Sequence, residues 1–138
     1  MIPKRKAADK AQGRVPPPTP PRREVVFCFK SWTETEKFRL SRCAGTYLAK
    51  FIGRLRDLCT WEVAALKANR HEALRFHPIS WDRSSEPGGF GLPAHLQDVE
   101  CFQFGITTNE HGRVHGYVIG HVFHVVWLDP DHLLFPGR

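Results

Sequence analysis

Arg113, His115, Tyr117 and His124 are the residues of this chain whose types and spacing could do chemistry. The first three alternate with Val114 and Gly116, and alternate residues of a strand share a face. A turn at Gly120-His121 sets Tyr117 opposite His124, with His115 diagonal to it; Gly suits the first central position of a type II′ turn. A turn at Ile119-Gly120 would instead pair His115 with His124. Both registers keep the two histidines on one face with Arg113 and Tyr117. Val114, Val118, Phe123, Val125 and Trp127 form the opposite, apolar face.

That polar set suits metal-free cleavage of RNA. A base takes the 2′-hydroxyl proton, an acid protonates the leaving oxygen, and a cation steadies the charge on the phosphorane. Histidine, with an unperturbed pKa of about 6.5, can fill either proton-transfer role near neutrality. His115 and His124 are the candidate base and acid, in either order. Arg113 offers a planar fork matched to phosphate. His111 and His132 are reserve candidates. Tyr117 could hydrogen-bond or stack on a base. Arg75 and His77 share a face of an earlier strand, and Gln103 lies on the non-core face of another. These join the substrate-binding candidates if their strands lie beside the hairpin. The plainer alternative is that one face of a single-layer sheet is solvated, and His, Arg and Tyr are ordinary residues there.

Other chemistries find less support. His111 and His115 are four apart, roughly 13 Å along a strand, and no Cys or Glu is placed to complete a site at His115 and His124, which leaves Asp129 or His132 folding back as the route to a third ligand. The expectation is therefore no metal and no cofactor. No Ser lies in a nucleophile elbow, and no phosphate-cradling loop of the Walker type is present. Gly88-Gly89-Phe90-Gly91 reads as a surface loop. Trp61, Trp81 and Trp127 read as packing residues rather than stacking platforms. Cys28, Cys43, Cys59 and Cys101 are widely spaced and read as reduced core residues of a cytoplasmic protein.

The elements that must position these groups follow from pattern. Val25 to Phe29 reads as a strand. Ser41 to Cys59 repeats apolar residues every three or four positions, including Tyr47, Leu48, Phe51, Ile52, Leu55 and Leu58, which predicts a helix. Thr60 is placed to cap a second helix reaching about Asn69. Residues 72–81 predict a strand limited by Pro78, and 82–94 a long loop. Glu100 to Thr107 predicts a third strand, with Phe102, Phe104 and Ile106 on its core face, and the hairpin follows. The fold expected is α+β, with two helices packed on one face of a small, mostly antiparallel sheet.

Charge divides the 138 residues unevenly. Residues 1–23 carry seven basic groups against Asp9 alone, and hold six of the eleven prolines. They read as a disordered, basic, Pro-rich tail ahead of one α+β domain over 24–138. The other 115 residues carry 13 basic and 13 acidic groups, so the pI says little about what the domain binds. No segment is long and apolar enough to span a bilayer, and no membrane partner is expected.

The order of elements over residues 25–132 resembles the RelE-like toxin endoribonucleases of the barnase–colicin–RelE fold group. The resemblance is one of layout. It implies a metal-independent endoribonuclease, the toxin of a bacterial toxin–antitoxin or phage-defence system. It further implies RNA, including ribosome-associated RNA, as substrate, and an antitoxin protein covering the polar face. The alternative from another class is a non-enzymatic adaptor that binds a partner through its tail and the His/Arg face. A metal-dependent hydrolase is the third.

Overall fold

Four short stretches rich in β-branched and aromatic residues, and a fifth of only His77 and Pro78, make the frame of the molecule. A computed structural model describes residues 23–68, 74–107 and 112–136. The strands are β1 (Val26–Cys28), β2 (His77–Pro78), β3 (Glu100–Gly105), β4 (Arg113–Ile119) and β5 (Val122–Asp129). They form one sheet in the order β1-β5-β4-β3-β2. β1 runs parallel to β5, and the other three pairings are antiparallel. Two helices, α1 (Gly45–Leu58) and α2 (Val63–Ala68), complete an α+β fold. The tail expected over residues 1–23 lies outside the described residues except for Arg23.

The helices cover one face. Tyr47, Phe51 and Leu58 of α1 and Leu66 of α2 pack on Phe102, Phe104, Val114, Val118, Phe123 and Val125. Phe104 and Val125 are wholly buried, and a buried side chain of either size is worth about 1.5–3 kcal/mol over an exposed one. Ile52, expected on the buried stripe, is 62 % exposed. α1 also starts later than its periodicity suggests, after a 3-10 turn at Leu40–Arg42. Thr60 does not cap α2; its hydroxyl turns back to donate to Asp57 O at 2.7 Å.

The hairpin turns at Gly120-His121, with Gly120 at φ +62 as a type II′ turn needs. Tyr117 pairs with His124 as that turn predicts. Further along, the register slips: Gly116 pairs with Val125, but His115 pairs with Trp127. Val126 is the extra residue of a β-bulge, which reverses the facing of everything beyond it. Trp127, expected beside Val125 on the helix face, therefore lies on the other face with Tyr117. Gly116 is needed at the bulge, because a Cβ there would fall 2.1 Å from His124 O.

The second face is not solvated. Three irregular segments cross it. Phe38 stacks on Trp127 with ring centroids 4.6 Å apart. Ile79, Trp81, Phe90, Leu92 and Leu96 come from the long loop, and Leu134 and Phe135 from the C-terminal segment. Backbone bonds tie these covers to the sheet and to each other: Thr33 N to Val126 O at 2.9 Å, and Ser85 N to Leu134 O at 2.8 Å. The sheet is thus the middle of three layers, with helices on one side and loops on the other.

Candidate functional site

A polar row crosses the loop-covered face in cross-strand register. His77 on β2 pairs with Gln103 on β3, Gln103 with His115 on β4, and His115 with Trp127 on β5. The neighbouring row runs from Gly105 to Arg113 to Asp129. Arg75 enters it from just before β2. Its Cδ would lie 3.3 Å from a Cβ at Gly105, and Arg113 Nη1 would lie 3.5 Å away. Gly105 is therefore the gap that lets two arginine side chains share one patch.

His115 sits at the centre with none of its surface exposed. Its Nε2 lies 2.8 Å from Asp129 Oδ2. Burial pulls the imidazole below its ordinary pKa, although the Asp129 hydrogen bond pulls the other way. A neutral ring donates Nε2–H to the carboxylate and turns the Nδ1 lone pair elsewhere. Burial pushes Asp129 up, yet bonds from His115 and from the Leu133 and Leu134 amides outweigh it, and the carboxyl is held below its usual range. Those amides donate to Asp129 Oδ1 at 2.7 Å and Oδ2 at 3.0 Å. One carboxylate thus ties β4 to the segment that follows β5. Among the described residues, His115 Nδ1 and Gln103 Oε1 have no hydrogen-bond partner.

These positions correct the expectation of an exposed catalytic face. Arg113, Gln103 and His132 are buried with His115. Tyr117 is buried too; its hydroxyl lies 2.7 Å from Ser31 Oγ, and its ring stacks on His124 at 4.6 Å. His124 is half-buried, and burial lowers its pKa. It pairs with Tyr117, which leaves His115 diagonal to it as the Gly120-His121 turn predicts, and the Tyr117 ring stacks on its imidazole. Loops cover the face because Trp127, Tyr117 and Val126 make it apolar enough to need covering. His111 lies outside the described residues.

What stays accessible is the β2 edge. His77 is exposed, and its Nε2 lies 3.4 Å from Gln103 Nε2. Arg75 is half-buried beside it. Burial, and secondarily the Arg75 charge, lower the Arg113 pKa, while Asp129 raises it. Two non-glycine residues among those described have positive φ: Arg75 at 49° and His132 at 57°. They flank the arginine row at its two ends. Backbone held in this region carries strain and collects at functional positions. His132 lies past the end of β5, about three strand spacings or roughly 14 Å from β2, too far to share one proton with His77.

Asp129 is the residue that sequence reasoning undervalued. Its signal was the D-P-D-H string that begins at the last residue of β5. Comparison with protein-family models, curated proteins and solved structures finds no match to the chain. Among the described residues no group of three or more His, Cys, Asp or Glu side chains could hold a metal ion. The four cysteines are free, and burial is the main cause raising Cys43, Cys59 and Cys101. No helix among the described residues is long and apolar enough to cross a membrane.

Proposed function

We propose that the protein is a metal-independent endoribonuclease that works at the β2 edge rather than at the centre of the hairpin. His77 takes the proton of the 2′-hydroxyl, Arg75 holds the phosphate through charge-assisted bonds, and the buried Arg113 adds its positive charge from beneath. Solvent returns a proton to the leaving oxygen. His115 and Asp129 act beneath the site as support. The observation that carries this reading is the strained backbone at Arg75, which brings one arginine against a second beside an exposed histidine. A toxin role follows from the same reading, with an antitoxin protein occluding the β2 edge.

The test is cleavage of a mixed-sequence single-stranded RNA by the purified protein, with and without EDTA. Activity should survive the chelator. His77→Ala should lower the rate by roughly 10²–10⁴-fold, and Arg75→Gly, which suits positive φ, should weaken it while leaving the fold intact. Intact RNA after incubation with the wild type at high concentration sinks the enzyme reading.

A non-catalytic adaptor is the second reading. What favours it is the complete burial of His115 and the use of Asp129 as a clamp for the Leu133 and Leu134 amides, which a structural dyad would show.

A further inference from the structure

Beside the β2 edge lies a small cleft that the proton-transfer and phosphate groups do not use. Its volume is about 160 Å³, and its lining includes Trp81, Gly89, Phe90, Leu96, Gln97 and Cys101. That is well below the space a drug-sized ligand needs, so it admits one ring system. Phe90 meets Trp81 edge-on, with centroids 4.8 Å apart. Gly89 has φ +78, and a Cβ there would sit 3.7 Å from the indole. Glycine both permits that backbone and keeps side-chain bulk off the ring. Gln97 Nε2 donates to the Leu92 and Pro93 carbonyls, which fixes the carboxamide and leaves its Oε1 to accept from a base edge. No lining residue carries a charge.

The cleft is in line with the site already described. Cys101, Gln103 and Gly105 alternate along β3 and share the loop-covered face. Successive members are roughly 7 Å apart. Moving along β3, an uncharged aromatic cleft comes first, then His77 beside Gln103, then Arg75 and Arg113 beside Gly105. A ligand that matches this order has a neutral planar ring at one end and an anion at the other, with a hydroxyl-bearing linker between them.

We infer that the cleft bounded by Trp81 and Phe90 is a nucleobase subsite, which holds one base of a single-stranded RNA so that its ribose and phosphate reach His77 and the arginine pair. The inference rests on the ribonuclease reading and adds to it the unit of substrate recognised. It also makes the enzyme selective for unpaired RNA, because a base must leave its stack to enter.

Nuclear magnetic resonance on the full chain tests it. Uridine and adenosine, as nucleosides, should move the Trp81 indole N–H and the Gly88, Gly89 and Gly91 amides, and inorganic phosphate alone should not. The corresponding 3′-monophosphates, which carry the phosphate next to the 2′-hydroxyl, should bind more tightly, and Arg75→Gly should remove that gain without changing nucleoside affinity. Trp81→Ala should weaken binding about tenfold. Leu96→Trp, which fills the cleft while keeping an apolar wall, should do the same if Trp81→Ala does not fold. The inference is overturned if nucleosides at millimolar concentration leave those resonances unmoved. It is equally overturned if a peptide of residues 14–23 moves them and nucleosides do not. RNA cleavage without nucleoside binding removes the subsite and keeps the enzyme; nucleoside binding without cleavage keeps the subsite and removes the enzyme.

Discussion

The two faces of the sheet are buried by different means, and the polar residues follow the means. Helices α1 and α2 cover one face. A helix satisfies most of its own backbone, so the side chains beneath it can be largely apolar; the Tyr47 hydroxyl, which donates to Arg113 O at 2.8 Å, is a polar tie from α1 to the sheet. Loops cover the other face. A loop brings unpaired N–H and C=O groups with it, and the sheet must supply partners. Asp129 accepts from Leu133 and Leu134, and the bulged Val126 accepts from Thr33. Among the described residues, the buried polar side chains of Gln103, Arg113, His115, Asp129 and His132 all belong to the loop-covered side or its rim. Buried polarity here is first a consequence of irregular cover, and only the accessible part of it is available for chemistry.

Substitutions on the two faces sharpen that contrast. The largest loss should come from Val125→Asp on the helix face, where the side chain is fully buried with no polar partner. An uncompensated buried charge costs on the order of 4 kcal/mol or more, and circular dichroism should show an unfolded chain. A native spectrum would mean that the helix layer is looser than its packing implies.

Asp129→Ala comes next. It removes the acceptor of His115 and of two amides, and should cost about 3–5 kcal/mol in urea denaturation. Asp129→Asn keeps one acceptor oxygen and should cost less. If both variants cost under about 1 kcal/mol, polar ties do not hold the loop layer and the contrast between faces fails.

Acid should act on the loop-covered face in particular. His115 has a folded pKa below its ordinary 6.5. Below that value the unfolded chain therefore binds the proton more readily, and stability falls as pH falls. Asp129, also depressed, adds a loss of the same sign at lower pH, on approach to its ordinary value of 3.8 and below. The wild-type melting temperature should drop between about pH 7.5 and pH 5, and His115→Gln should flatten that drop. His124, shifted the same way by burial, leaves a smaller slope in the variant. An unchanged slope in His115→Gln would place the acid sensitivity elsewhere.

The smallest effect on stability belongs to His77→Ala. The side chain is exposed at a two-residue edge strand, and the change should stay within about 0.5 kcal/mol. A larger loss would mean that the contact with Gln103 is structural, which would also weaken the assignment of His77 to proton transfer.

The strands, the helices and the turn at Gly120-His121 were legible in the sequence, because each is set by local periodicity or by one residue's backbone freedom. So was the helix-facing cluster from Phe102 to Val125, since alternation along a strand fixes which side chains share a face. Even within these elements, Trp127 was misplaced, because a bulge at Val126 depends on how β5 lies against β4, and its one mark, Gly116 inside β4, does not say which strand takes the extra residue. The cover over the second face was decided only by tertiary structure. Phe38, Trp81, Phe90 and Leu134 come from segments far apart in the chain with no periodicity of their own, and nothing local indicates that they converge. Their convergence buried His115 and left His77 at the surface. The sequence by itself determined which residues could do chemistry; the packing of its least regular segments determined which of them solvent can reach.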